Sequence, residues 1–247
     1  MNLIIDIGNT ATKIAVMDSN NRVVARRRVE HLTEEMMTAL LAEFQSIDKA
    51  IVASTGAGDE CVCRVLSERV DYFMEFTPAT DIPLKNGYKT PETLGADRLA
   101  AAVGAQELYK AENMLIVDFG TAITYDLVTD GVFRGGNISL GAGARFRALH
   151  DYTERLPQCE PTDEVLEFGR STKEAIEQGV MRGIKYETEG YISDFSAKYD
   201  KLCIIFTGGD AKYFVNRIKN TIFADWDLTL YGLNRILEYN AAKKDNE

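Results

Sequence analysis

Residues 3–16 read Leu-Ile-Ile-Asp-Ile-Gly-Asn-Thr-Ala-Thr-Lys-Ile-Ala-Val, and residues 114–128 read Met-Leu-Ile-Val-Asp-Phe-Gly-Thr-Ala-Ile-Thr-Tyr-Asp-Leu-Val. Laid on one another, they put Asp118 on Asp6 and Gly120 on Gly8. Each is an apolar run ending in Asp, a Gly two residues on, a Thr next or next but one, and a second apolar run. Gly and Asn tolerate the positive φ that tight hairpins demand, so each stretch reads as strand, turn, strand. One copy is ordinary turn chemistry. Two copies, each opening a β-rich half, point to a duplicated domain.

Outward from the first copy, Val23 to Arg28 supplies a third strand and Glu34 to Phe44 has helical periodicity. Lys49 to Ala53 is a strand, Cys61 to Arg69 helical, and Tyr72 to Phe76 a short strand. The order β-β-β-α-β-α-β argues for an α/β layer fold. Thr77-Pro78 through Thr90-Pro91 holds three of the five prolines and little periodicity, and reads as a loop crossing between two halves. Loops of that length inside compact domains are usually functional.

The 247 residues carry a net charge of −10, with 45% hydrophobic and 27% charged residues. This is ordinary globular composition, and its acidity offers no general footprint for nucleic acid or anionic lipid. The one basic cluster, Arg26-Arg27-Arg28, reads as the end of a strand entering a solvated turn. The four cysteines, Cys61, Cys63, Cys159 and Cys203, show no zinc spacing, and neither His31 nor His150 lies near one. No secretory apolar region and no stretch of about 18 apolar residues is present. The expected setting is cytoplasmic and reducing, away from membranes.

A strand ending in Asp-x-Gly puts a carboxylate at a turn beside backbone N–H groups and a hydroxyl. Gly lets an oligoanion approach the backbone, and the N–H groups point at phosphate oxygens. The Asp cannot bind phosphate itself, but it can hold a cation, or water around one, that bridges to it. Lys13 lies on the second strand and is in reach of the same phosphates. Two such hairpins facing each other read as a nucleotide cleft. Thr207-Gly208-Gly209-Asp210-Ala211 follows the apolar run 202–206 and reads as a tight turn into an Ala-led helix, where a planar adenine can pass near backbone. Leu94-Gly95-Ala96-Asp97-Arg98 opens a helix running to about Tyr109. Asp97 there is either a helix-start carboxylate with Arg98 its exposed neighbour, or part of a substrate site under the Pro-bounded loop. Ser171 and Glu174 have capping-box spacing, and the helix they open carries Ile176, Val180 and Ile184 on one stripe. Gly179 and Gly183 beside that stripe imply another backbone coming close, within the subunit or across a dimer.

Assembled, these residues resemble the type III pantothenate kinases of the acetate and sugar kinase/Hsp70/actin superfamily. The resemblance runs in order through Asp6-x-Gly-Asn-Thr-x-x-Lys13, Tyr88-x-x-Pro91-x-x-Leu-Gly95-x-Asp97-Arg98, Asp118-Phe-Gly-Thr121 and Gly135-Gly136-x-Ile138. It continues through Thr153-x-x-Leu-Pro157, Gly169-x-x-Thr172-x-x-Ala-Ile176-x-x-Gly179 and Thr207-Gly-Gly-x-Ala211. It implies an α/β fold of two duplicated ribonuclease H-like (actin-like ATPase) domains, 1–90 and 91–247, with a nucleotide cleft between them. The implied activity is ATP-dependent phosphorylation of pantothenate, the first step toward coenzyme A. By the same resemblance Asp6, Ile7, Gly8, Asn9, Thr10, Ala11, Thr12, Lys13 and Thr121 would bind ATP with its Mg2+. Tyr88, Gly95, Ala96, Asp97 and Arg98 would hold pantothenate, with Asp97 the general base. Asp118 would bind a monovalent cation, K+ or NH4+, and Thr172 would reach the pantothenate site of a partner in a homodimer. The chain departs from the family pattern at Leu140, where Pro is usual, and at Ser171, where Asn is usual. It also departs at Ser54-Thr-Gly-Ala-Gly58, which replaces a Val-Val-Pro-rich stretch. Two other functions are compatible with such a cleft: a nucleotide-binding regulator of the same fold without kinase activity, and an actin- or Hsp70-like switch. The second needs subdomains for which 247 residues leave little room.

Overall fold

Three apolar residues in a row, Leu3, Ile4 and Ile5, have no solvent exposure at all, because the strand they form is covered on both faces. The structure, a computed structural model, describes residues 1–8, 10–54, 60–218, 223–224 and 227–244. Asn9 and residues 55–58 of the Ser54-to-Gly58 departure lie outside the described residues.

By contacts the chain divides into two compact units. The first comprises Met1–Lys110, Gly131–Phe133 and Asp227–Glu247. Its sheet is built from β1 (Asn2–Ile7), β2 (Thr12–Met17), β3 (Val23–Val29), β4 (Lys49–Ser54) and β5 (Tyr72–Phe76), in the order β3-β2-β1-β4-β5. Helices α1 (Glu34–Glu43) and α2 (Glu60–Arg69) pack Met37, Leu40, Val62 and Leu66 against Leu3, Ile5, Ile14 and Val16. Later come the two-residue strand β6 (Lys85–Asn86), α3 (Ala96–Tyr109) and the C-terminal α6, Leu228–Lys244. Helix α6 packs on α3, β1 and β4. Buried Asn2 ties it down, donating from Nδ2 to Asn234 Oδ1 at 2.7 Å, and Lys49 Nζ lies 2.9 Å from Glu238.

The second unit comprises Ala111–Asp130 and Arg134–Trp226. Its strands are β7 (Asn113–Phe119), β8 (Ala122–Thr129), β9 (Val132–Leu140), β10 (Cys203–Thr207) and β11 (Phe223–Ala224), in the order β9-β8-β7-β10-β11. Helices α4 (Ala142–Asp151) and α5 (Thr172–Ser196) cover the sheet through Phe146, Ile176, Val180 and Ile184. The duplication read from the two hairpins is therefore a duplication of topology. In each sheet the opening strand is antiparallel to its hairpin partner and parallel to the next strand after the intervening helices.

Two local readings change. The loop from Thr77 to Pro91 holds β6, which pairs parallel with Val132 and Phe133 at the start of β9, and leads into a 3-10 turn at Pro91–Thr93. A two-residue strand has no periodicity to betray it. The described residues directly after Gly208-Gly209 form a 3-10 turn, Ala211–Tyr213, in place of the expected helix. Asp210 N–H is held by Phe119 O at 3.0 Å and buried Phe214 stacks on Phe119 with ring centroids 4.8 Å apart, which draws the segment into the core. Arg26, Arg27 and Arg28 fill the second half of β3, which ends at Val29 before a bend, on the exposed edge of the sheet. Arg26 pairs with Asp227 at 2.7 Å and Arg27 with Glu43 at 2.5 Å; charged side chains on an edge strand discourage pairing with another chain.

Candidate active site

In the first unit, antiparallel register sets Asp6 opposite Lys13, and Lys13 Nζ lies 4.0 Å from Asp6 Oδ2. Gly8 N–H donates to Ala11 O at 3.2 Å and closes the turn. Thr12 is buried, Ile7, Ala11 and Lys13 half-buried, and Thr10 exposed at the tip. Asp6 is buried, and its carboxyl is pushed up to about 6. Burial is the main cause; the Lys13 charge opposes the rise and the Asp97 charge adds to it. Asp97 therefore stands within electrostatic reach of the hairpin, although 91 residues of sequence separate the two carboxylates.

Asp97 owes its orientation to the start of α3. Gly95 is the N-cap, and Asp97 Oδ1 accepts the Arg98 N–H at 2.9 Å. A Cβ on Gly95 would lie 2.5 Å from that oxygen, so a larger residue there would turn the carboxylate away from this position. The helix-start reading of Asp97 is thus realised, with Ala96 buried beside it. Arg98 is buried, at 6% exposure, and is not the exposed neighbour of the simpler reading. Its guanidinium lies 5.7 Å from the Tyr88 ring centroid and 5.8 Å from that of Phe133. The sequence carried no sign of Phe133.

In the second unit, Asp118 sits at the end of β7, beside Thr124 of β8 and Thr207 of β10. Gly120 N–H donates to Ala122 O at 3.1 Å, the same closure as at Gly8 with a loop one residue shorter. Gly208, at φ +89°, comes so close that a Cβ there would fall 2.3 Å from Asp118 Oδ1. The first glycine of the pair therefore makes room for Asp118 and the end of β7. Gly141 N–H donates to Thr121 O at 3.0 Å, which ties the start of α4 to the hairpin tip. Arg145 holds the strand end before it, donating to Leu140 O at 2.8 Å and Ser139 Oγ at 3.0 Å, and pairs with Glu187 of α5.

Ser171 is the N-cap of α5 and accepts the Glu174 N–H at 3.3 Å, while Glu174 reaches back to the Arg170 N–H at 2.6 Å, one residue beyond the usual capping box. Thr172 lies exposed on an apolar groove of about 880 Å³ between α4 and α5, with Tyr152, Leu156, Ile176 and Gly179. The structure thus gathers Asp6, Lys13 and Asp97 in one unit, with Tyr88 beside Arg98, and frames Asp118 and Thr121 in the other. Among the described residues no group of three or more His, Cys, Asp or Glu is arranged to hold a metal ion, and no helix is long and apolar enough to cross a membrane.

A family model described as type III pantothenate kinase matches residues 2–194. The type III pantothenate kinase of Phocaeicola vulgatus is 41% identical over 241 residues, covering 97% of this chain and 99% of that protein. That of Porphyromonas gingivalis W83 is 42% identical over 243 residues, covering 97% and 98%. Among solved structures, the activator of 2-hydroxyisocaproyl-CoA dehydratase from Clostridium difficile, with bound ADPNP, superposes with a TM-score of 0.56 at 13% identity, covering 99% of this chain and 97% of that one. A Campylobacter jejuni protein described under a Baf family of transcriptional activators gives 0.62 at 22% identity, covering 97% and 99%. At such identities these two establish the fold alone, the α/β architecture of actin-like ATPases and sugar kinases.

Proposed function

The chain belongs to the type III pantothenate kinase family, and from that premise we propose how its residues divide the work. The reaction is ATP-dependent phosphorylation of pantothenate to 4'-phosphopantothenate, the opening step of coenzyme A biosynthesis, with a divalent cation on the nucleotide. Asp97 is the general base: it takes the proton of the pantothenate hydroxyl as that oxygen attacks the γ-phosphorus and the bond to the β-phosphate oxygen breaks. Phosphoryl transfer depends mainly on positioning and charge stabilisation, so a carboxylate fixed by its own helix N-terminus suits the task. The observation that carries this reading is the Asp97 carboxylate held by the Arg98 N–H at the start of α3, within electrostatic reach of Asp6.

The two hairpins, Asp6 to Lys13 and the turn at Thr121, take the phosphates of ATP with backbone N–H groups, hydroxyls and the Lys13 ammonium. Tyr88 and Gly95 to Arg98 hold pantothenate. Asp118 would hold a monovalent cation, potassium or ammonium. One carboxylate at a strand end fits a hard, loosely coordinated ion with oxygen ligands, and its charge would offset the acidic residues and phosphates around it. The working unit is a homodimer, in which Thr172 serves the partner's site. Gly179 supports this, because nothing described beyond its neighbours and the backbone of its own helical turns lies within 4 Å of where a Cβ would stand, and so does Tyr152, 89% exposed beside the groove. The two copies of the ancestral unit are taken as 1–90 and 91–247, and the setting as cytoplasmic.

A coupled ADP-release assay tests the reading. ADP release should depend on pantothenate, run faster in potassium or ammonium than in sodium, and lose that preference in Asp118→Ala. Pantothenate-independent release would overturn the activity, and equal rates in all three salts would overturn the cation site.

A further inference from the structure

We propose that Phe133 is a positioning residue for pantothenate recognition: with Tyr88 it forms an aromatic notch that holds the Arg98 guanidinium, and β6 closes that notch. The inference rests on the reading that Tyr88 and Arg98 hold pantothenate.

The three groups form a near-equilateral triangle. Arg98 Cζ is 5.7 Å and 5.8 Å from the two ring centroids, and the rings stand 6.2 Å apart, tilted by 58°. Phe133 is completely buried and Arg98 nearly so. A buried charge is costly unless its surroundings compensate it. A guanidinium has weakly hydrated faces and carries its N–H donors in its plane, while an aromatic face is electronegative. With their centroids only 6.2 Å apart, both rings lie to one side of the guanidinium carbon and steady the ion through their faces.

Strand β6 holds the notch shut from behind. Lys85 N–H donates to Gly131 O at 3.2 Å and Gly87 N–H to Phe133 O at 2.9 Å. Tyr88 N–H is then fixed on Asn86 Oδ1 at 3.0 Å. A Cβ on Gly87 would lie 2.9 Å from Phe133 O and 3.1 Å from Val132 Cγ1, so the approach of the two segments requires glycine. The long Pro-bounded loop is thus pinned immediately before the residue that meets Arg98.

The test replaces Phe133 with phenylalanines carrying one, two and three ring fluorines, which keep the shape and drain the negative face. The pantothenate KM should climb along the series, reaching about 3- to 30-fold for the trifluoro ring, while kcat and the ATP KM stay within about 2-fold. Gly87→Ala, which pushes β6 off Phe133, should raise the same KM alone. A flat series, or equal increases in both KM values, would overturn the notch. In the same assay Arg98→Lys separates the two claims. If it raises the pantothenate KM while the fluorine series stays flat, the notch falls and the site reading stands. If it leaves that KM unchanged, both fall.

Discussion

Asp6 is held in a place that costs the fold stability. Its ordinary value of 3.8 is pushed up to about 6, first by burial and then by the neighbouring Asp97 charge, with Lys13 offsetting part of the rise. An acid whose folded value lies above its unfolded one binds protons more readily when folded. Its relative contribution is therefore most favourable below about pH 4 and is lost as the pH climbs through about 6. A rise of that size makes the ionised carboxylate about 3 kcal/mol less favourable in the folded chain than in the unfolded one. Asp6→Asn should accordingly unfold later than the wild type at pH 8, by up to that amount, with the gain gone near pH 4. Urea titrations at both pH values check this, and a pH-independent difference would contradict it. The same variant should lose kinase turnover, because groups kept at such expense belong to function. Asp6 and Asp118 are legible in the sequence because Asp-x-Gly is local turn chemistry. The burial of Asp6 and its meeting with Asp97 are not, since both arise from elements distant along the chain.

Helix glycines separate close packing from open surface at the scale of elements. Gly104 of α3 and Gly232 of α6 let two helices touch: a Cβ on Gly232 would lie 1.7 Å from Ala100 O, and one on Gly104 2.2 Å from Leu228 O. Gly232→Ala should cost at least the 1–3 kcal/mol typical of overpacking, roughly, and shift the helix that carries Asp97. Gly179 on α5 has open space, so Gly179→Ala should stabilise the isolated chain by up to about 1 kcal/mol through helix propensity. It should at the same time weaken self-association, if two α5 helices meet there across a twofold axis. Denaturation curves and sedimentation equilibrium read the two effects separately. Unchanged association would place the dimer contact elsewhere. The hairpins, the N-terminus of α3 and the Ser171 cap of α5 could be read from a few adjacent residues. The turn after Gly208-Gly209 could not, because Phe214 stacking on Phe119 decides its path.

Across the whole molecule, a five-stranded and a six-stranded sheet repeat one order over five strands, β6 being the additional strand of the second. The repeated Asp-x-Gly hairpins made that duplication visible. Phe133 and β6 stayed hidden, because a two-residue pairing between Lys85–Asn86 and Val132–Phe133 leaves no pattern in either segment. Helix α6 packs on β1 at the far end of the chain, a long-range contact that its own periodicity does not encode. The central claim is that the N-terminus of α3 places Asp97 to take the hydroxyl proton during phosphoryl transfer. The most direct test is turnover of Asp97→Asn at saturating ATP and pantothenate, with the pantothenate Kd measured by calorimetry on the same sample. A positioned base contributes about 10²- to 10⁴-fold, so turnover should fall by that factor while the Kd stays within a few-fold of the wild type. Turnover close to that of the wild type would contradict the account and leave Asp97 a capping residue.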